Sequence, residues 1–336
     1  MHTRTWLLLT AAVSACAALL PATAGAAPAS NFDSQAHRGG RGLVVENTLP
    51  AFAHALEIGV TTLEMDIAIT EDGREVVTHD SRVDGAKCAD TAPVSAGDPQ
   101  YPYVGKLIKE LTFDQVRTLD CGSAAQADFP GQRTAPGAKM PTLAEVFDLA
   151  RQRGAAGIAF SIELKTNPAG SDTRPAADFV SRALGEIAGS GFASNVKIQS
   201  FDWGALQLVH RADPAIPLYA LTDPTKVYPF SPWLGGLHPL AYGGSLVRTA
   251  KSFGAAAISP MESLPPDGSV QIPLVGASMV QEAHANGMLV VPWTPNDAAT
   301  MRALIDKGVD GIITDYPDRL RDVLRERGMP LPPVYA

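Results

Sequence analysis

The feature that most constrains this chain is a rhythm. Short apolar runs with strand character alternate with segments of helical periodicity across residues 34–324. Strands are expected, with approximate ends, over residues 34–38, 62–70, 75–79, 158–164, 196–201, 216–221, 255–258, 288–292 and 311–314. Between them the spacing predicts helices over 48–58, where Leu49, Phe52, Ala53 and Leu56 share one face, and over 142–153, 176–188, 203–210, 276–286 and 297–307. Gly59, Gly154, Gly287 and Gly308 follow four of these helices, where a chain commonly leaves a helix through a left-handed residue. Repeated βα units argue for an α/β fold, a parallel sheet closed as a (β/α)8 TIM barrel. An open doubly wound sheet fits less well, because no G-x-G-x-x-G follows the first strand.

Two stretches break the rhythm. Residues 84–140 are rich in Gly, Pro, Ala and Asp, with a helical piece near 112–119, and read as an insertion between an early strand and the next barrel strand. Residues 224–244, with Pro, Gly and aromatic side chains, read as a second long loop. The remainder can build a large core: 46% of the 336 residues are hydrophobic and 18% charged, which excludes a disordered chain. With 27 Lys+Arg against 35 Asp+Glu the formal charge is −8, and no basic run occurs, so a nucleic-acid groove is not expected. An anionic substrate must be met by a few local cations. Nothing in the sequence calls for an obligate protein partner.

The N-terminus reads as an export signal over residues 1–26. Arg4 precedes the uncharged apolar run 6–20, and Ala24-Gly25-Ala26 suits signal peptidase. The run is shorter than the roughly 20 residues a membrane span needs and stops at Pro21, so a periplasmic or secreted protein without a span is expected. Val13-Ser14-Ala15-Cys16 also fits a lipobox, which would make the alternative a lipoprotein anchored through Cys16. Cleavage leaves Cys88 and Cys121, an even pair in an oxidising compartment. A disulfide between them would close a loop of about 30 residues and stabilise by about 3 kcal/mol; the alternative is two buried thiols.

The chemistry concentrates at strand ends. In Leu63-Glu64-Met65-Asp66-Ile67 both acids point to one face of a strand, and Glu163 and Lys165 share a face in Ile162-Glu163-Leu164-Lys165. A solvated outer face is the ordinary explanation for such acids, but the apolar neighbours and the second acidic strand favour an inward site. Three acids converging on a barrel mouth repel unless a cation joins them, and carboxylate oxygens select Ca²⁺ or Mg²⁺ over zinc. His37 and His79 each close a strand at the rim where barrel enzymes place catalytic groups, and imidazoles there can exchange protons near neutral pH. His2, His54, His210, His238 and His284 lack such a setting. Trp293, Gln199 and Phe201 also end strands and are candidate substrate contacts, whereas Asp315 and Tyr316 suit a structural role equally well.

These residues fall into a recognisable series. His37-Arg38-Gly39, Glu46-Asn47-Thr48, Glu64-x-Asp66, Asp72-Gly73 and His79-Asp80 together closely resemble the glycerophosphodiester phosphodiesterase family. Met140-Pro141-Thr142-Leu143, Ile162-Glu163-Leu164-Lys165, Gln199-Ser200-Phe201-Asp202, Trp293-Thr294 and the run from Gly308 to Pro317 agree with it. The long insert looks like that of the periplasmic, calcium-using branch. The resemblance implies a TIM barrel that hydrolyses deacylated phospholipids, small glycerophosphodiesters, to an alcohol and sn-glycerol 3-phosphate. It implies Glu64, Asp66 and Glu163 as ligands of a divalent cation, calcium with magnesium as the alternative, and His37 and His79 as acid and base. Arg38 and Lys165 would then meet the phosphate. One departure stands out: the family has Pro before Glu-Asn-Thr where this chain has Val45 after a Gly-rich stretch, which leaves open whether Glu46 approaches the metal or stands behind it. The rival readings are a phospholipase D resembling the sphingomyelinase D group, which shares the E-x-D and two-histidine plan, and a non-catalytic secreted binding protein on the same barrel.

Overall fold

A computed structural model describes residues 32–264 and 272–336. Residues 1–26 and Cys16, the expected signal and lipidation site, lie outside the described residues. Among the described residues the βα rhythm becomes eight parallel strands: β1 (Asp33–Ala36), β2 (Thr62–Ile69), β3 (Ala159–Leu164), β4 (Val196–Ser200), β5 (Leu218–Thr222), β6 (Ala257–Pro260), β7 (Leu289–Val290) and β8 (Gly311–Thr314). Hydrogen-bonded neighbours run in sequence from β1 to β7, and β8 pairs with β1. The seam between β7 and β8 is carried by Ile313 N–H donating to Pro292 O at 3.0 Å and by a single bridge between Trp293 and Ile313, so the barrel is nearly closed.

Period-2 alternation sorts each strand into two faces. Leu63, Met65 and Ile67 of β2 and Phe160, Ile162 and Leu164 of β3 belong to the main buried core with the surrounding helices. There Phe160 packs edge-on against Phe147 and Phe192, with ring centroids 4.8 and 5.1 Å away. The alternate residues form a buried polar column. At its floor Asp33 accepts from Thr62 Oγ1 (2.7 Å), Gln35 Nε2 (2.7 Å) and Lys197 Nζ (2.5 Å). The helices begin where their caps dictate: Thr48 Oγ1 accepts from Ala51 N–H for Leu49–Ile58, and Thr142 with Glu145 forms a capping box for Leu143–Gln152. Gly59 and Gly308 follow their helices at φ 85° and 86°, where a side chain would be strained.

Three expectations are modified. The first strand stops at Ala36, and His37–Gly39 form a 3-10 turn in which Arg38 takes φ 52°. The segment expected at 75–79 is a strand only over Glu75–Val77 and runs antiparallel to β2, so it is a hairpin arm rather than a barrel stave. Helices Leu246–Lys251 and Pro317–Glu326 were not expected, the first being too short to show periodicity and the second mostly charged apart from Leu320, Val323 and Leu324.

Residues 84–140 carry a small core of their own. Val83, Tyr103, Leu111, Val116, Leu119 and Met140 pack with Ala68 and Val76 of the hairpin, and a disulfide joins Cys88 to Cys121. Arg117 ties this unit to the barrel through a bidentate pair with Glu145 at 2.8 and 2.9 Å.

Candidate active site

Glu64 and Asp66, two apart on β2, and Glu163, beside Asp66 in register on β3, meet at the mouth end of the polar column. Their carboxylate oxygens lie within 4.8 Å of one another. Glu64 is 1% exposed and Asp66 fully buried, which rules out a solvated outer face. Glu64 is fixed from both sides: Oε2 accepts the Arg38 backbone N–H at 2.7 Å, and Oε1 accepts Gln199 Nε2 at 2.8 Å. Asp66 Oδ2 accepts Asn47 Nδ2 at 3.0 Å, with Arg38 Nε at 3.4 Å. Lys165 Nζ contacts Glu163 Oε1 at 2.9 Å.

The electrostatics of the cluster suit a cation. Burial and the Asp66 charge push Glu64 well above the usual carboxylate range. Burial also lifts Glu163 to about 7, with Asp66 adding to the rise against the pull of Lys165. Asp66 goes the other way: burial opposes ionisation, but Arg38 first, then His79 and Lys165, hold it well below its ordinary value. Its Oδ1 is buried without a hydrogen-bond partner. A buried carboxylate oxygen left unbonded beside two acids that resist ionising fits a hard divalent cation.

His37 and His79 face the same cavity. His37 Nδ1 lies 2.6 Å from Asp315 Oδ1, and His79 Nδ1 lies 2.8 Å from Asp80 Oδ1, so in each ring Nε2 is the nitrogen left for substrate. Burial and Arg38 lower His37 despite Asp315; burial, Lys165 and Arg38 push His79 down to about 4. Against burial, His37 and Arg41 hold Asp315 at about 2. Arg41 Nε donates to Asp315 at 2.9 Å, and Asn296 Nδ2 to its other oxygen at 2.7 Å.

Glu46 stands behind the site, outside the acid cluster. It takes Arg38 Nη1 at 3.1 Å, Lys87 Nζ at 3.0 Å and Arg41 Nη1 at 3.4 Å, which hold its carboxyl far below the usual range against burial. The Val45 departure now has a physical sense. Its N–H donates to Arg133 O of the insert at 3.1 Å, a bond that proline cannot make. Arg38, expected to meet substrate, lines the cavity but already has Glu46 and Asp66 as partners.

The cavity is about 240 Å³, lined also by Lys165, Phe201, Met261 and Trp293. Trp293 donates Nε1–H to Ser259 O at 3.0 Å and stands edge-on to Phe201, with centroids 5.4 Å apart, making an aromatic wall. Gln199 lines the cavity as well, though its amide is committed to Glu64. An adjoining outer cleft of about 510 Å³ shares His79, Lys165, Phe201 and Trp293 and adds Ser81, Arg82, Lys226 and Trp233. Sequence reasoning gave no role to Asn47 and Asp80, although both stand inside quoted motifs. It left Asp315 undecided, and Lys87 carried no signal at all.

Fold and site define a class: a TIM-barrel enzyme whose mouth joins a metal-competent carboxylate triad to two imidazoles. The chain belongs to the glycerophosphoryl diester phosphodiesterase family, whose family model matches residues 37–319. It is 29% identical over 293 residues to a glycerophosphodiester phosphodiesterase of Caldanaerobacter subterraneus, covering 87% of this chain and 98% of that one. It is 26% identical to a human lysophospholipase D over 86% of this chain and 84% of that one. A crystal structure from Silicibacter pomeroyi, itself assigned as a glycerophosphoryl diester phosphodiesterase, superposes with TM-score 0.72 at 28% identity, covering 89% and 95% of the two chains. The fold also matches an Oleispira antarctica phosphodiesterase solved with its product sn-glycerol-3-phosphate, at TM-score 0.62 and 19% identity over 87% and 96%.

Proposed function

We propose that this protein hydrolyses glycerophosphodiesters to an alcohol and sn-glycerol 3-phosphate, using a divalent cation held by Glu64, Asp66 and Glu163. The observation that carries the reading is the convergence of Glu64 and Glu163, clustered with Asp66 behind them, and of His37 and His79 on one cavity. When bound, the cation supplies Lewis-acid neutralisation of the phosphate's charge. Calcium is the proposed ion, on the likeness of the long insert to that of the calcium-using branch; the three carboxylates themselves suit Ca²⁺ or Mg²⁺ alike.

The chain's own residues do the rest. Lys165 brings a positive charge to the phosphate, with the Arg38 field behind it. One imidazole takes the proton of the substrate's glycerol hydroxyl as that oxygen attacks phosphorus in line, and the other gives a proton to the departing alcohol. Water then opens the cyclic phosphate with the roles reversed. Asp315 and Asp80 fix the two tautomers so that Nε2 faces the reaction. Both imidazoles are neutral near pH 7 because burial and nearby cations repel a proton; an anionic phosphate among those cations cancels that repulsion and lets one ring charge as the acid. Trp293 and Phe201 wall the glycerol carbons.

Export through the 1–26 leader is part of this reading, supported by the Cys88–Cys121 disulfide, a bond suited to an oxidising compartment. The test is a coupled glycerol 3-phosphate assay on glycerophosphocholine after chelation and readdition of Ca²⁺ or Mg²⁺. Glycerol 3-phosphate release that needs the cation, with no action on intact sphingomyelin, is expected; release of ceramide phosphate from sphingomyelin with no glycerol 3-phosphate from glycerophosphocholine would favour the phospholipase D reading.

A further inference from the structure

Residues 224–244 form a second rim to the outer cleft, and their side chains divide into two sets. Leu234 is buried, and Val227 and Leu237 pack against the main core. Tyr228, Phe230 and Leu240 turn outward: Phe230 is 82% exposed, Leu240 80% and Tyr228 45%. Phe230 and the turn that carries Leu240 stand side by side, the Phe230 ring lying 5.2 Å from that of His238, which opens the turn Pro239–Tyr242. The display is held in place by Ser231 N–H donating to Tyr228 O at 3.1 Å and Gly244 N–H to Pro239 O at 2.9 Å. Phe230 sits at φ 63°, which a bulky side chain adopts only at a cost. Large apolar groups in water add to that cost, and transfer to an apolar phase offsets it.

Position and charge say which phase. Lys226 and Trp233 of the same loop line the cleft beside His79 and Trp293, so the loop that carries the patch stands at the edge of the cleft. Residues 224–261 contain no Asp or Glu, in a chain of net charge −8. The patch itself therefore brings no acid to a phosphate-bearing surface, and Asp223 at the start of the loop is paired with Lys226 Nζ at 2.7 Å, whereas a basic protein partner would find no acid within the patch to pair with. Among the described residues no helix is long and apolar enough to cross a membrane, so contact through this face would be peripheral.

We propose that the Tyr228–Phe230–Leu240 patch docks the protein on a zwitterionic phospholipid surface, seating Phe230 and Leu240 at the headgroup boundary with the cleft turned toward the lipid phosphodiesters. The purpose of docking rests on the phosphodiesterase reading; its occurrence does not. The experiment is co-sedimentation of the mature protein and its F230S/L240S variant with phosphatidylcholine vesicles, alongside turnover of soluble glycerophosphocholine and sedimentation velocity without lipid. Wild type should pellet with the vesicles and the variant should partition at least about tenfold less, with soluble turnover unchanged. Wild type that stays in the supernatant, equal binding by both proteins, or a lipid-free dimer lost in the variant would overturn it, the last assigning the patch to a second copy. Vesicle binding without turnover of any phosphodiester would sink the catalytic reading and leave the docking standing.

Discussion

Two rims flank the same barrel mouth and are built on opposite principles. The 84–140 rim is locked by charge and covalent bonding: Lys87 bridges Glu46 at 3.0 Å and Asp80 at 2.6 Å, and the next residue, Cys88, is stapled to Cys121. The 224–244 rim carries no acid, holds itself with turns and turns apolar side chains to water. One Lys87 amine thus touches the carboxylate behind Arg38 and the carboxylate behind His79. The first rim is built to fix catalytic geometry, the second to meet something outside the molecule.

The comparison can be broken at several points. The largest effect belongs to the histidines: His37→Ala or His79→Ala should lower kcat by about 10²–10⁴-fold while calorimetric cation binding persists. Near-full activity in either variant would remove the charge-locked rim's purpose. Next comes the staple. Replacing Cys88 and Cys121 with Ser reopens a loop of sequence separation 33 and should cost about 3–4 kcal/mol in chemical denaturation. An unchanged midpoint would show that the insert's own core suffices.

Lys87→Met should then lower kcat by about tenfold with little change in KM, because it loosens two orienting carboxylates, each worth about one charge-assisted hydrogen bond, without touching substrate. Lys87→Arg should recover most of the loss; failure to do so, or a change confined to KM, would count against an orienting role. A smaller and graded effect is expected from pH. Glu163 in the cation-free protein holds its proton up to about 7, and a cation must displace it, so affinity should rise as pH rises toward 7 and level off above it. The stability linked to that proton is fully present below the unfolded value near 4.5 and is lost as pH climbs through 7, so chelated protein should lose Tm over that window and regain it with Ca²⁺. An affinity that is flat with pH would mean Glu163 is not a ligand. The smallest effect is the second rim's on soluble substrate, where F230S/L240S should change turnover by less than about twofold, as surface substitutions usually do.

Much of this was legible in the chain because it depends on local periodicity. Alternation places Glu64 and Asp66 on one face whatever surrounds them, and Thr48 and Thr142 start helices by bonding to their own next turn. Asp315 was legible as a position but not as a partner: its role depends on β8 pairing beside β1, which brings it to His37 across 278 residues. Arg38 was legible as a cation at the barrel mouth, but not its pairing with Glu46 and Asp66, which only folding brings beside it.

By itself, then, the sequence determined the barrel, the two acidic strands, the rim histidines and the family, since each is written in short-range spacing and residue type. Tertiary structure alone decided which carboxylate stands behind which imidazole, that Glu46 supports the site from outside the acid cluster, and that Lys87 reaches two of those carboxylates. Pairings of that kind depend on closing long loops and on what burial leaves without water, and neither quantity is a property of any short stretch of chain.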